Sequence, residues 1–187
     1  MRKLIFQEFL SLDGYAADKD HDTKFFEGPA FSEDSDDDLL AEMQRFDTIL
    51  LGANTYKMFV DYWPDATVDE QIVADKLNSI PKIVFSKTLK KAPWGKWAAA
   101  KVVADDAVSF VKDLKAQDGK DMVLWGSISL AQDLMKANLI DEYQLRIVPV
   151  LLGAGTLLFT KAGTHHLKLM KSKSYPSGLL LVHYRPE

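Results

Sequence analysis

Short apolar runs alternate with amphipathic stretches along most of this chain, and that alternation narrows its fold more than any single motif. Lys3–Leu10, Thr48–Leu51, Lys82–Ser86, Lys101–Val103, Met122–Trp125 and Asp141–Leu152 read as strands. Between them, Asp36–Phe46, Thr55–Val60, Val68–Ser79, Ala107–Gln117 and Ser129–Asn138 space their apolar residues for helices. Leu130, Leu134 and Met135, for example, fall on one helical face. Strands joined through helices pair in parallel, and a parallel sheet has to be covered on both faces. The closing segments His166–Lys173 and Leu179–Arg185 have no helix between them, only the Pro176–Gly178 turn, so they form an antiparallel hairpin. Ser11–Gly28 reads as a long polar loop. The expected fold is therefore a three-layer α/β sandwich. Its central sheet is mixed but mostly parallel, with an antiparallel C-terminal hairpin.

A length of 187 residues suits one domain spanning 1–187. With 23 Lys+Arg against 27 Asp+Glu, the formal charge of −4 argues against a dedicated nucleic-acid or anionic-membrane partner. The apolar run near the N-terminus is broken by Gln7 and Glu8, too early for a secretion signal, and no stretch approaches the roughly 20 apolar residues of a membrane span. A cytoplasmic protein is expected. The absence of Cys removes thiolate nucleophiles, zinc–thiolate sites and iron–sulfur clusters. Chemistry must then come from oxygen and nitrogen groups or from a bound cofactor.

In an open α/β sheet, ligands bind beyond the carboxyl ends of the strands. Four segments are expected there: Ser11–Tyr15, Gly52–Tyr56, Ser86–Thr88 and Gly126–Leu130, each mixing small residues with hydroxyl or amide groups. Two lead straight into helices, whose free N–H groups favour a phosphate. Neither the P-loop nor the GxGxxG fingerprint is present, so a nucleotide would be held by another fold. Asp13 has two readings, a proton donor or substrate anchor at the sheet's mouth, or the first residue of an Asp-Gly turn. The acidic run Glu33–Asp38 suits a solvated helix start better than a metal site, since consecutive acids on a helix diverge. No metal is expected. His165 and His166 lack metal-binding spacing, no GxSxG elbow mounts a serine, and Trp63, Trp94, Trp97 and Trp125 suit packing better than base stacking.

Taken in order, five blocks resemble the dihydrofolate reductase-like superfamily, in the subgroup similar to the reductase domain of riboflavin biosynthesis (the RibD C-terminal domain). They are Ser11-Leu12-Asp13-Gly14-Tyr15; Leu50-Leu51-Gly52 with Thr55-Tyr56, Phe59 and Tyr62-Trp63-Pro64; Lys82–Leu89; Trp125-Gly126-Ser127 with Leu130; and Leu139–Glu142 with Pro149–Gly155 and Leu158-Phe159. The resemblance implies a reductase that transfers hydride from NADPH, with NADH as the alternative donor, to a small heterocyclic or carbonyl-type substrate. The acceptor would be similar to those of 5-amino-6-(5-phosphoribosylamino)uracil reductase or dihydrofolate reductase. It implies that Gly52, Asn54 and Thr55, with Ser86, Lys87 and Thr88, hold the adenosine side. Gly126, Ser127, Ile128, Ser129 and Leu130 would receive the pyrophosphate, through a cis Gly126–Ser127 peptide in some members. Asp13 becomes a catalytic candidate, as a substrate contact or proton route, and Ser11, Tyr15 and Trp63 become substrate contacts. Ala53 stands where relatives carry a basic residue, so Lys57, Lys87 or Lys90 would supply the charge. A homodimer packed through Ile147–Phe159 is also implied. The other reading is a non-catalytic nucleotide-binding or scaffolding homolog.

Overall fold

The computed structural model describes residues 1–27, 29–160 and 163–187. Strand β1 (Leu4–Ser11) lies inside a nine-stranded sheet, because its apolar residues serve both faces. Leu4, Phe6 and Leu10 join one core cluster while Ile5 joins the other. The remaining strands are β2 (Tyr15–Ala17), β3 (Phe46–Gly52), β4 (Lys82–Phe85), β5 (Ala92–Trp94), β6 (Trp97–Val103), β7 (Asp121–Trp125), β8 (Glu142–Val148), β9 (Thr156–Leu157), β10 (Leu167–Ser174) and β11 (Leu180–Pro186). Their order across the sheet is β10-β11-β8-β1-β7-β3-β4-β6-β5, and β2 pairs with β9 in a separate ribbon. From β8 to β6 all pairings are parallel, and an antiparallel strand pair closes each edge. The mixed, mostly parallel sheet with its antiparallel C-terminal hairpin is the architecture the alternation implied.

Helices α1 (Pro29–Met43), α2 (Ala53–Val60), α3 (Ala74–Ser79), α4 (Ala107–Ala116) and α5 (Ile128–Lys136) cover the sheet. On one face, Val111 and Leu114 of α4 and Leu130, Ala131, Leu134 and Met135 of α5 pack on Leu50, Met122 and Leu124. On the other, Met43, Tyr56 and Leu77 meet Ile49, Leu51, Val123 and Trp125. Burying such side chains contributes roughly 1.5–3 kcal/mol each, before the conformational entropy that opposes it.

Several elements differ from the sequence expectation. Helix α1 begins at Pro29, a residue whose fixed φ and missing N–H suit a first helical position. The acidic run therefore lies inside the helix and does not cap its start. Its Asp38 carboxylate accepts a hydrogen bond from Tyr175 Oη at 2.6 Å and pairs with Lys173, while Asp34 accepts from Ser177 N–H at 2.8 Å, tying α1 to the C-terminal hairpin. Gly28, the end of the expected loop, lies outside the described residues, as does the side chain of Glu33. Only Ala74–Ser79 of the expected 68–79 helix forms as α3. Ahead of it, the Glu70 carboxylate accepts from both Thr67 N–H and Thr67 Oγ1 at 3.0 Å and closes a separate turn, leaving Val68 and Ile72 exposed. Strand β8 ends before Pro149, which has no N–H to continue a ladder.

The ribbon β2–β9 was hidden in what reads as loop. It depends on Gly155, whose φ is +142° and where a Cβ would stand 2.1 Å from the Ala17 carbonyl oxygen. Any side chain there would push the two strands apart.

A buried cation organises the other flank. Lys82 Nζ donates to the carbonyls of Leu77 and Ile80 at 2.8 Å and of Asn78 at 3.0 Å, and stands 4.5 Å from the Trp94 ring centroid. Burial pulls this ammonium down to about 7. Asn78 in turn accepts from Trp94 Nε1 at 2.6 Å and donates to the Trp63 carbonyl at 2.7 Å. Lys82→Met would leave three buried carbonyls without their donor. Urea denaturation should show a loss of about 2–4 kcal/mol, at about 1–3 kcal/mol for each stranded group and with partial rescue by water.

Candidate functional site

The sheet splits where its two central strands part. Pairing between β1 and β7 stops at Gln7 opposite Trp125, whereas β1 stays paired to β8 as far as Ser11 opposite Val148. The split opens a cleft of about 1490 Å³ along the carboxyl edge. Such an edge is where open α/β sheets bind ligands, because turns and helix N-termini converge there with free N–H groups.

Three turns build one half of the cleft. Gly52, Asn54 and Thr55 come from the β3–α2 junction, Ser86, Lys87 and Thr88 follow β4, and Gly126, Ser127, Ile128, Ser129 and Leu130 join β7 to α5. The structure thus brings every residue of the expected cofactor set to one wall. Two of the turns are clamped together. Ser127 Oγ accepts from Gly52 N–H at 2.7 Å and stands 3.0 Å from both Thr55 Oγ1 and the Trp125 carbonyl, while Ser127 N–H donates to Thr55 Oγ1 at 2.9 Å. Gly126 and Ser127 both take left-handed backbone, φ +55° and +59°. No cis peptide occurs among the described residues, so this turn reverses through two left-handed residues and not through the cis bond that the resemblance suggested. A Cβ on Gly126 would sit 3.1 Å from Thr55 Cγ2, which leaves little room for any other residue. Ile128 packs partly onto the core beneath α5.

The other half is aromatic and apolar. Phe59, Tyr62 and Trp63 form a contiguous wall, with ring centroids 6.1 Å apart for Phe59–Trp63 and 5.2 Å for Tyr62–Trp63, and Met58, Val73 and Leu77 extend it. Phe9 and Phe26 also line the cleft, stacked at 4.5 Å, and the Arg146 guanidinium lies 5.5 Å from the Phe9 ring. Trp63, named above as a substrate contact, is part of this cleft wall.

Ser11, Asp13 and Tyr15 are placed elsewhere. The Asp13 carboxylate accepts from Ser11 Oγ at 2.6 Å, from Gly153 N–H at 2.7 Å and from Leu152 N–H at 3.1 Å. These bonds, Ser11 foremost, hold its carboxyl below the usual range. Tyr15 pairs with Leu157, and its N–H donates to Ser11 Oγ at 2.9 Å. The three residues clasp the first loop to the segment after β8 and do not line the cleft, so of the four expected segments three converge on it. The physical reason is that two backbone N–H groups after Pro149 need acceptors, and Asp13 supplies them. Of the three candidate lysines, Lys87 lines the cleft and Lys57 and Lys90 do not.

Residues that motif reading passed over hold the floor. Glu8, Gln7 and Arg146 all line the cleft from within strands. A charged residue inside an otherwise apolar central strand was the available signal. Arg146 is almost fully buried and donates from Nε to Ser35 Oγ at 3.1 Å, with Asp36 of α1 among the carboxylates that face it. Gln7 Nε2 donates to Gln144 Oε1 at 2.5 Å and Gln7 Oε1 accepts from Trp125 Nε1, which locks the floor where the strands part. Burial pushes the Glu8 carboxyl up to about 8, against the smaller opposing effect of the Phe9 N–H it accepts.

The fold and cleft define an α/β protein of dihydrofolate reductase-like fold. Residues 2–181 match the RibD C-terminal domain family, to which this chain belongs. That family is of reductase type. The chain is 27% identical to the uncharacterized protein YyaP of Bacillus subtilis, over 98% of this chain and 94% of that one. It is 26% identical to a candidate riboflavin biosynthesis protein of Shewanella sp. PV-4, with a TM-score of 0.78 over 99% of each chain. Dihydrofolate reductase of Enterococcus faecalis, solved with NADP(H), shares 10% identity and a TM-score of 0.65 over 99% of this chain and 96% of that one, a likeness of fold.

The raised Glu8 carboxyl carries a stability signature. The folded state keeps the proton up to about 8, while an unfolded chain releases it above the ordinary value of 4.5. Between those values the folded state binds more protons, so this group's contribution to stability falls as pH rises through that window. Glu8→Gln, neutral at every pH, should flatten the decline in denaturation midpoint between pH 5 and 8.

Proposed function

We propose that this protein is an NADPH-dependent reductase that passes hydride to a small, flat heterocyclic or carbonyl-type acceptor. The observation that carries the reading is the continuity of the cleft, from three turns on the carboxyl edge, two of them clamped together, to an aromatic-walled chamber beside β1. The donor set fits a dinucleotide. The first N–H groups of α2 and α5 have no acceptor within their helices and suit the pyrophosphate, and the left-handed Gly126–Ser127 backbone keeps side chains away from it. Ser86, Lys87 and Thr88 offer hydroxyls and a charge to the adenosine side, and Lys87 would meet a 2′-phosphate. When bound, a reduced nicotinamide supplies the hydride. The protein's part is to orient and to exclude water. Phe59, Tyr62 and Trp63 give a flat acceptor a face to stack against, and Phe9 and Phe26 add further aromatic lining.

Nicotinamide fluorescence on titration with NADPH tests the reading, with saturation expected at micromolar cofactor and oxidation when an acceptor is supplied. Absence of binding at millimolar NADPH and NADH would overturn it, and tight binding without hydride transfer to any acceptor would favour the non-catalytic homolog. Lys87→Ala should weaken NADPH by about three- to tenfold, roughly 1 kcal/mol, and NADH by less.

We also propose a homodimer. Leu151, Leu157 and Phe159 are exposed on the 147–159 segment, at 69%, 39% and 49%, and a second copy would cover them. Light scattering should give twice the 21.0 kDa chain mass at micromolar concentration.

A further inference from the structure

The strand order sets which end of a dinucleotide meets which strand. Running inward from the edge, β6, β4 and β3 precede β7, and β1 follows it. A cofactor with its adenosine side on the turns after β3 and β4 and its pyrophosphate on the β7–α5 turn brings its nicotinamide over β1. There, just past the last β1–β7 pair, stands Glu8. Its Oε1 accepts from Phe9 N–H at 2.9 Å, and among the described residues its Oε2 has no partner. Glu8 lines the cleft, and its Oε2 is not among the buried polar atoms that lack a partner.

Resting on the cofactor reading above, we propose that Glu8 is the residue that recognises the carboxamide of the nicotinamide ring, through the carboxyl oxygen that no protein group holds. A protonated carboxyl offers one O–H donor and carbonyl-type acceptors, the complement of a primary carboxamide, whereas a carboxylate offers acceptors only. Burial keeps the proton on Glu8 at neutral pH, and with Oε1 engaged as an acceptor the proton belongs on Oε2. No charged group offsets that burial. Leu145 of β8 is its register partner, Arg146 pairs with Phe9 and so projects to the opposite face, and Trp125 of β7 is uncharged. The other ionisable groups lining the cleft, besides Arg146 and the two acids below, are Asp133 of α5, Asp105 ahead of α4, His21 and Glu27 of the first loop, Tyr62 and Lys87. The other acids of the cleft have different work. Asp106 caps α4 by accepting from Ser109 N–H, and Asp36 faces Arg146.

The test is calorimetric titration of wild type, Glu8→Gln, Glu8→Leu and His21→Gln with NADH and with ADP-ribose, which lacks the nicotinamide, between pH 7 and 9.5. NADH avoids the 2′-phosphate, a monoester whose own ionisation near pH 6 would intrude. Wild-type affinity for NADH should fall about tenfold across a midpoint near pH 8, about 1.4 kcal/mol. Glu8→Gln, an uncharged donor and acceptor of the same shape, should bind about as tightly with no such midpoint. Glu8→Leu should bind about tenfold more weakly at every pH, and His21→Gln should behave as wild type. ADP-ribose should bind all four alike at all pH values. NADH binding that is flat with pH, a midpoint that survives Glu8→Gln or disappears in His21→Gln, or the same midpoint with ADP-ribose would overturn the assignment while leaving the cofactor reading intact. No binding of NADH, ADP-ribose or NADPH to any variant would overturn both.

Discussion

The contact on which the cleft depends is the clamp between the β3–α2 and β7–α5 turns. The Ser127 hydroxyl satisfies Gly52 N–H and the Thr55 hydroxyl satisfies Ser127 N–H, so the two helix starts are held at one spacing. Because Ser127 spends its hydroxyl on the neighbouring turn, it makes no side-chain cap on its own helix. The N-terminal N–H groups of α5 are left without a side-chain cap from Ser127. A turn that capped itself would have been locally more stable and chemically closed.

The second constraint is the parting of β1 from β7 after Gln7 and Trp125. Pairing on the β8 side continues, so β1 keeps its hydrogen bonds on one edge and opens the other to the cleft. That geometry explains how Glu8 can lie within a core strand and still face the cleft. It also explains the locked glutamine pair, Gln7 with Gln144, just before the split, where loose polar groups would be costly. Around the rim, Asp13 and Gly155 hold the first loop against the segment after β8, and the ribbon they stabilise places Ala16 and Ala17 on the cleft.

Much of the fold was legible because its signals are local. Apolar periodicity marked the strands at Thr48–Leu51 and Met122–Trp125 and the helices at Ala107–Gln117 and Ser129–Asn138 within a residue or two. The cofactor-side turns were legible for the same reason, since small and hydroxyl residues following a strand have few other uses. What was missed depended on distant partners. Residues 68–73 carry helical spacing, yet the Thr67–Glu70 turn and the lack of anything to bury Val68 or Ile72 stop the helix there. The two-residue β9 has no period to detect, and β5 contains Pro93, which argues against a strand until its edge position is known.

The sequence by itself determined the class of fold, the turns on the carboxyl edge and the family, all of which rest on short-range pattern and residue type. Only the tertiary structure decided the duties of individual acids. Asp13 looks like the functional carboxylate because it follows a strand and precedes a glycine, but two amides from residues 152 and 153 claim it. Glu8 looks like an interruption of a core strand, but the strand beside it ends early and leaves its carboxyl on the cleft floor. Whether both oxygens of a carboxylate are consumed by structure depends on which N–H groups reach them, and for Asp13 the chain brings those groups from more than a hundred residues away.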